Sequence, residues 1–362
     1  MDPQPEAAVP AGGSEAFPPA PAGVSAGDHG PWYLAYKRFV RNRVAVAFLG
    51  LFVLIVVFVL AAPLWADHVA HTGPNQTHTL QKLHVGDEVR EVVTPEGKPI
   101  GPQWFEADGK FFLGADSRLG RDEMVRLMYG GRTSLLVGIG SALITTGLAI
   151  LLGLLSGYFR GWVDTVIART LDVLWSLPVF LVGLALGVAL AVGGLKIGPL
   201  EIAGGSLWIP VIVISVFTVP YIARPIRGEV LALSEKEFVE AAVAQGAGPL
   251  RVMFSEILPN LASTIIVFFT LTIANNMLFE AGLSFLGAGV QPPNSSWGTM
   301  ISIGEELLTT QPLLAIIPGT MILLTVLALN IVGDGLRDAL DPRSKIRLEA
   351  HAGMVEPKGS SV

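Results

Sequence analysis

The chain has 362 residues, of which 51% are hydrophobic and 15% are charged, and its formal net charge is -6. Soluble domains carry charge on roughly a quarter of their residues, so this composition excludes an ordinary soluble core and indicates an integral membrane protein. The absence of cysteine excludes disulfide bonds and thiolate metal sites, although it does not fix the compartment.

The N-terminal 30 residues are rich in Pro, Ala and Gly and contain no Lys, Arg or long apolar run. This composition predicts a disordered cytoplasmic segment that is not a secretory signal. Residues 31–65 combine a basic, amphipathic segment with the first membrane span. At the other end, residues 343–362 form a polar tail, which we also expect on the cytoplasmic side.

Six apolar runs are long enough, at about 20 residues each, to cross roughly 30 Å of hydrocarbon. They lie at residues 44–65, 134–158, 166–192, 207–223, 262–286 and 313–332. We therefore predict an all-α integral membrane protein with six transmembrane helices. Pro178, Pro210, Pro220 and Pro318 interrupt these runs, and the carbonyl groups that they free need partners from protein or water.

The distribution of Lys and Arg predicts the orientation. Basic residues precede the first predicted span and follow the second, fourth and sixth, whereas the loops at 193–206 and 287–312 contain only Lys196. The positive-inside rule then places both termini in the cytoplasm. The loop at 66–132 also carries basic residues, but long loops translocate largely regardless of charge, so we place it outside the cell.

This extracytoplasmic loop has strand-like composition at 88–94 and 99–106, with turn signals at 95–97 and 107–109. A small β-sheet there would either contact a substrate-delivering protein or shield the outer mouth of a pore. The loop also contains His68, His71, His78 and His84, but their spacing matches no standard ligand set. We predict no metal site.

Residues 228–259, between the fourth and fifth spans, form a cytoplasmic loop that contains a short helix with small side chains. Ser234 and Glu237 fit a capping box at its start, Gly246 fits a left-handed stop, and Pro259 fits the break before the fifth span. One face of the helix suits docking into a groove of a partner protein, and its residues are Phe238, Ala241, Ala242 and Gln245. For a generic amphipathic segment, a solvated loop helix is the commoner alternative.

The fifth span contains polar residues that are candidates for a translocation path. An ionisable group in a span is costly unless it faces protein or water, so Glu280 is either a path or gate residue or a structural one. Asn275 and Asn276 are further path candidates, and interhelical hydrogen bonds are their alternative role.

Ordered motifs relate the chain to a known family. Glu240-Ala241-Ala242, then Gly246, then Ile257-Leu258-Pro259 resemble the coupling loop of ATP-binding-cassette (ABC) importer permeases. Other motifs resemble the C-type subunit of the dipeptide/oligopeptide/nickel permease family, and they are Leu113-Gly114-Ala115-Asp116, Gly120-Arg121-Asp122, Gly130-Gly131-Arg132-Thr133-Ser134-Leu135, Gly157-Tyr158-Phe159-Arg160-Gly161-Trp162-Val163-Asp164, Leu283-Ser284-Phe285-Leu286-Gly287, Gln291-Pro292-Pro293, Trp297-Gly298 and Gly333-Asp334-Gly335-Leu336-Arg337-Asp338-Ala339-Leu340-Asp341-Pro342-Arg343. The chain departs from the family at Glu256, where His is usual, and at Phe111-Phe112, where His-Pro is usual.

The resemblance implies a type I ABC importer permease architecture, with a permease core at 133–342, in a prokaryotic plasma membrane. It implies that Glu237, Phe238, Glu240, Ala241, Ala242, Gln245 and Gly246 couple the chain to an ATPase. The implied partners are a homologous permease subunit, two cytoplasmic ABC ATPases that bind ATP and Mg²⁺, an extracytoplasmic substrate-binding protein and membrane lipid, without nucleic acid.

The chain itself lacks the Gly-x-x-x-x-Gly-Lys-Ser/Thr phosphate loop, so we expect it to be non-catalytic and without a cofactor, with ATP hydrolysis supplied in trans. The resemblance implies a di- or oligopeptide as the solute, with nickel chelates, glutathione or another small solute as alternatives. Two other classes stay open. Proline-interrupted spans and Glu280 would also fit an ion-coupled secondary transporter, and a membrane scaffold would use the same loop for adhesion.

Overall fold

The computed structural model describes residues 31–85, 88–104 and 109–340 of the chain. The predictions of disorder at 1–30 and of a polar tail at 343–362 lie outside these residues. In chain order the main helices are α1 (Pro31–Arg41), α2 (Arg43–Leu60), α3 (Glu123–Phe159), α4 (Gly161–Ser176), α5 (Val179–Gly193), α6 (Trp208–Ser234), α7 (Glu237–Ala244), α8 (Ala262–Phe285), α9 (Trp297–Glu305) and α10 (Leu313–Leu340). Short helical segments, two of them π-helical, lie at Ala62–Trp65, Ala66–Ala70, Pro249–Arg251, Val252–Ile257 and Leu258–Asn260.

Five helices of the described chain are long and apolar enough to cross a membrane, namely α2, α3, α6, α8 and α10. The pair α4 and α5 passes the same test together but is bent by 83°, so that the spans number six if the pair is counted as one. The prediction of an all-α membrane protein with six apolar spans is therefore confirmed, with the third span broken.

The break in the third span lies at Pro178, within the run that the sequence predicts as one continuous span at 166–192. Leu177 before it adopts an extended conformation, with φ -79 and ψ 136. Proline lacks an N–H group and disfavours helical geometry in the preceding residue, which explains the bend. Pro220 and Pro225, by contrast, lie inside α6, which continues to Ser234 because burial of its apolar face outweighs the lost hydrogen bonds.

Helices α3 and α6 approach each other closely through glycine. A Cβ atom added at Gly153 would lie 2.6 Å from Ile226, and one added at Gly157 would lie 2.6 Å from Val230. Small residues four apart therefore let the two backbones pack side by side.

The end of the bundle near α7 is filled by one apolar cluster, which we call the coupling-end cluster. Its buried members are Ala149, Leu154, Leu171, Val219, Ile222, Ala223, Ile226, Val230, Val239, Val252, Met253, Ile257 and Leu261. These residues come from α3, α4, α6, α7 and the segment before α8, so the cluster joins the short helix to the long ones.

The loop before α3 contains a small antiparallel sheet of β1 (Lys82–Val85) and β2 (Glu88–Glu91). The predicted sheet is present, but the predicted strand at 99–106 is wrong over its described part. Pro99 forms only an isolated bridge to Val93, because proline cannot donate to a strand ladder. The turn predicted at 95–97 is confirmed by Gly97, whose φ is +77. A second hairpin, β3 (Leu195–Ile197) and β4 (Leu200–Ile202), has no predicted counterpart.

The motif at 113–122 attaches this loop to the start of α3. Asp116 is buried and accepts a hydrogen bond from Nε of Arg121 at 2.5 Å. Asp122 caps α3 by accepting from the backbone N–H of Val125 at 3.0 Å, and it also accepts from the backbone N–H of Phe111 at 2.7 Å. The carboxylates of the motif therefore fix backbone positions between the loop and the first turn of the helix.

Candidate functional site

Helix α7 begins differently from the prediction. Ser234 is the last residue of α6, and its hydroxyl donates to the carbonyl of Val230 at 2.5 Å. The N-cap of α7 is Lys236, which forms no side-chain capping bond. The predicted capping box of Ser234 and Glu237 is therefore wrong. Ser234 instead lies at the end of α6, and α6 extends 11 residues past residue 223, where the fourth span was predicted to end.

The end of α7 agrees with the prediction. Gly246 has a φ of +83, in the left-handed region that favours glycine. Its backbone N–H donates to the carbonyl of Val243 at 2.9 Å, and the N–H of Ala247 donates to the carbonyl of Ala242 at 3.0 Å. These two bonds form a Schellman motif, which satisfies carbonyl groups at the end of the helix and fixes the direction of the following chain.

The predicted docking face of α7 is open in the chain. Phe238 is 40% exposed, Ala241 and Gln245 are exposed, and Ala242 is half-buried. Three of these four side chains are exposed, and two of the four are alanines that leave room for close approach. The surface therefore has the shape expected for insertion into a groove of another protein.

The other side of α7 lines an open groove of about 570 Å³ next to the α3–α4 turn. Val239, Glu240, Val243 and Ala244 form the α7 wall of this groove. Arg160, in the turn, donates to a carboxylate oxygen of Glu235 at 2.9 Å across it. Glu240, which the resemblance assigns to the coupling surface, thus lies on the groove side and not beside Phe238.

One apolar side chain anchors α7 to the bundle. Val239 is 3% exposed and belongs to the coupling-end cluster with Ile226 and Val230 of α6. Protein interiors are close-packed, so this contact fixes the position of α7 against α6. The sequence pattern did not single out Val239. It is an apolar residue that lies two positions after Glu237 and directly before Glu240.

Ion pairs connect α4 to α6 near the same end of the bundle. Arg227 forms two bonds to the carboxylate of Asp164, at 2.5 and 2.6 Å. Arg224 donates to Asp172 at 2.7 Å and lies 4.7 Å from the ring centre of Trp175. Bidentate pairing of arginine with a carboxylate fixes orientation as well as distance. Helix α4 is therefore held to the part of α6 that contacts α7.

The three path candidates in α8 have different surroundings. Asn275 is exposed, whereas Asn276 is buried and donates to the hydroxyl of Ser141 at 3.0 Å. Glu280 is fully buried and accepts hydrogen bonds from Ser134 at 2.9 Å and from Ser284 at 2.7 Å. The structure thus separates Asn275 from the other two residues.

The carboxylate of Glu280 lies in a buried polar junction. Ser134 of α3 also accepts a hydrogen bond from the backbone N–H of Trp297, at 3.2 Å, where α9 begins. Ser284 accepts from the backbone N–H of Val290 at 2.9 Å. Glu280 therefore links α3, α8 and the loop that leads to α9. The sequence contains a signal for each partner, since Ser284 lies four residues after Glu280 and Ser134 belongs to the motif at 130–135, but neither signal predicts the contact of Ser134 with Glu280.

Membrane-length helices, buried polar junctions between them and a short exposed helix are the features expected of the permease subunits that the sequence resembles. In agreement, residues 149–346 match the family described as binding-protein-dependent transport system inner membrane component. Residues 30–82 match the N-terminal TM domain of oligopeptide transport permease C. The chain belongs to the family of ABC importer permeases and is a multi-pass protein of the inner membrane.

Similar proteins are named as peptide and glutathione permeases. The Glutathione transport system permease protein GsiD of Pectobacterium atrosepticum is 37% identical over 315 residues, which cover 87% of this chain and 92% of that protein. The Di/tripeptide transport system permease protein DppC of Pseudomonas aeruginosa is 36% identical over 312 residues, which cover 86% and 91%. Among solved structures, a chain of the inward-facing MetNI methionine ABC transporter is similar, with a TM-score of 0.49, 18% identity and coverage of 60% of this chain and 97% of that one.

Proposed function

We propose that this chain forms half of the translocation pore of an ATP-driven importer and that α7 transmits the motion of a separate ATPase to the bundle. The observation that carries the proposal is the two-sided environment of α7. Phe238 and Ala241 are exposed for a partner, while Val239 is buried among side chains of the long helices. A helix with these two sides is suited to transmit force between a cytoplasmic protein and membrane spans.

The energy comes from ATP that is bound elsewhere. Two separate ABC ATPase subunits bind ATP and Mg²⁺ in this proposal and this chain takes no part in the hydrolysis chemistry, in keeping with the lack of a phosphate loop in its sequence. A homologous permease subunit completes the pore, and an extracytoplasmic binding protein delivers the solute. Both termini and α7 then lie on the cytoplasmic side, as the distribution of Lys and Arg indicates.

The solute class that we propose is di- and oligopeptides. The names of the similar permeases support it, since one refers to di- and tripeptides and another to glutathione, which is itself a tripeptide. Asn275, on an exposed face of α8, is the path candidate with direct access to a solute. Asn276 and Glu280 then act behind it, by holding α8 against α3.

Reconstitution tests this function directly. The chain is placed in proteoliposomes with its second permease subunit, ATPases and binding protein, and uptake of a labelled dipeptide, a labelled oligopeptide and glutathione is measured. The vesicle lumen corresponds to the cytoplasm in this assay. We expect uptake when the lumen contains ATP and no uptake when it contains a non-hydrolysable ATP analogue. Uptake by the chain alone under an ion gradient would instead establish a secondary transporter.

A further inference from the structure

Helix α1 has a composition unlike the spans. Its sequence, PWYLAYKRFVR, contains three aromatic residues in its first six positions, four basic or aromatic residues in the next five, and no acidic residue. It is also separate from the first span. Asn42 interrupts the helix with φ -80 and ψ 91, and its side chain accepts from the backbone N–H of Ala45 to cap α2.

The exposed side chains of α1 form two stripes. Trp32, Tyr36 and Val40 are four residues apart and are 56%, 66% and 48% exposed. Lys37 and Arg41 are also four apart and exposed, on the adjoining face. Residues four apart share one face of an α-helix, so α1 presents an aromatic stripe next to a basic one.

The remaining side of α1 contacts the bundle at the end where α10 finishes. Phe39 is half-buried, and a Cβ atom added at Gly335 of α10 would lie 3.4 Å from its ring. This contact holds α1 beside the end of a span while its aromatic stripe points away from the described residues. Three large side chains in a row exposed to water would be unfavourable, so another phase or molecule covers them.

We propose that α1 lies in the plane of the membrane–water interface and binds anionic phospholipid headgroups through Lys37 and Arg41. Tryptophan and tyrosine favour the headgroup region of a bilayer, and basic residues on an amphipathic helix are attracted to anionic lipid. The charge of α1 has one sign, as an anionic surface requires. The inference goes beyond the transport function, and its test does not depend on uptake.

The lack of native cysteine permits a clean test of position. Full-length chain carrying Tyr36→Cys is labelled with bimane, placed in nanodiscs and exposed to lipids brominated along the acyl chain and to acrylamide in the water. We expect strong quenching by brominated lipid and weak quenching by acrylamide. Strong quenching by acrylamide alone would overturn the proposal, and weak quenching by both reagents would overturn it too, since a protein would then cover the stripe.

Lipid charge is tested with the same label in two sets of discs. One set contains brominated phosphatidylglycerol and the other contains the same amount of brominated phosphatidylcholine. We expect preferential quenching by phosphatidylglycerol, and a loss of that preference of about 30-fold in Lys37→Gln/Arg41→Gln, since each basic residue contributes about fivefold near an anionic surface. Lys82→Gln/Lys196→Gln is the control, because it removes the same charge from other exposed positions. Equal quenching by both lipids in the labelled chain without the Gln substitutions would contradict headgroup binding by α1. An equal loss of preference in the control variant and in Lys37→Gln/Arg41→Gln would contradict it too.

Discussion

Single residues decide how α7 ends and how α8 is held. Gly246 turns the chain in a left-handed conformation that a residue with a Cβ atom adopts only at a cost. Glu280 places a carboxylate where two serine hydroxyls donate to it, far from solvent. In both places one side chain, or its absence, sets the geometry of a larger element, so conservative substitutions there are informative.

Gly246→Val should uncouple transport from ATP hydrolysis. The φ of +83 makes a side chain at this position unfavourable by about 1–2 kcal/mol, so the Schellman motif opens and the end of α7 moves. We expect normal membrane insertion, retained ATP hydrolysis and reduced uptake by the reconstituted complex. Gly248→Val is the matched control, because Gly248 has a φ of -71 and nothing within 4 Å of an added Cβ atom. Native uptake by both variants would argue against a role for this turn.

Glu280→Gln should alter transport without preventing assembly. Glutamine has the shape of glutamate and keeps one carbonyl acceptor for Ser134 or Ser284, but it replaces the second acceptor with a donor. The junction is therefore retained in a changed form. Uptake rates and the yield of assembled complex are measured together, with Glu280→Leu as a comparison that removes both bonds and should lower stability by about 1–3 kcal/mol. A loss of assembly with normal uptake per assembled complex would identify Glu280 as purely structural.

Helix pairs, and not isolated helices, are the units that position the coupling surface. Helix α7 has eight residues, too few to be stable without tertiary contacts. Its position depends on Val239 and on the contact of α3 with α6, where glycines allow the two helices to approach closely. Substitutions on one face of a helix should therefore have different effects from substitutions on its opposite face.

Ala242→Arg should block docking of the ATPase. Its side chain would project from the face that contains Phe238 and Ala241, where a groove must approach closely. We expect at least a tenfold loss of ATPase binding, measured by co-purification or light scattering, with normal folding of the chain. Ala244→Arg is the control on the same helix, because Ala244 lies on the groove side with Val243. An equal loss in the two variants would show that α7 has no preferred docking face.

Gly157→Val should separate α3 from α6. A Cβ atom there would lie 2.6 Å from Val230 and 3.0 Å from the carbonyl oxygen of Arg227, which is backbone and cannot move aside cheaply. We expect a destabilisation of about 1–3 kcal/mol, seen as a lower melting temperature of the purified chain. Gly147→Val, in the same helix with nothing within 4 Å of an added Cβ atom, should leave the melting temperature unchanged. Equal melting temperatures for both variants would show that the close approach has no energetic importance.

At the scale of the whole molecule, the sequence predicts the features that depend on local composition. Apolar runs identify the spans, and the left-handed stop at Gly246 follows from one residue type. The predicted capping box of α7 is wrong because α6 extends to Ser234 once it is packed. The sequence identifies Pro178 as an interruption of the third span, but it does not predict the 83° bend between α4 and α5, whose size depends on how the two helices pack. The contact of Glu280 with Ser134 is not predictable from the sequence, because it depends on tertiary packing. Ser134 is 146 residues away, and only the packing of α3 on α8 brings the two together.

The burial of Val239 alone among the side chains of α7 has a consequence for how such transporters diverge. In the proposed function the anchor and the docking face are different residues of one short helix, so substitutions can accumulate on the outward side without loosening the bundle. Such a permease can adapt to a new motor protein by a few surface changes, and second-site suppressors of a docking defect are then expected in the ATPase gene and not in the spans.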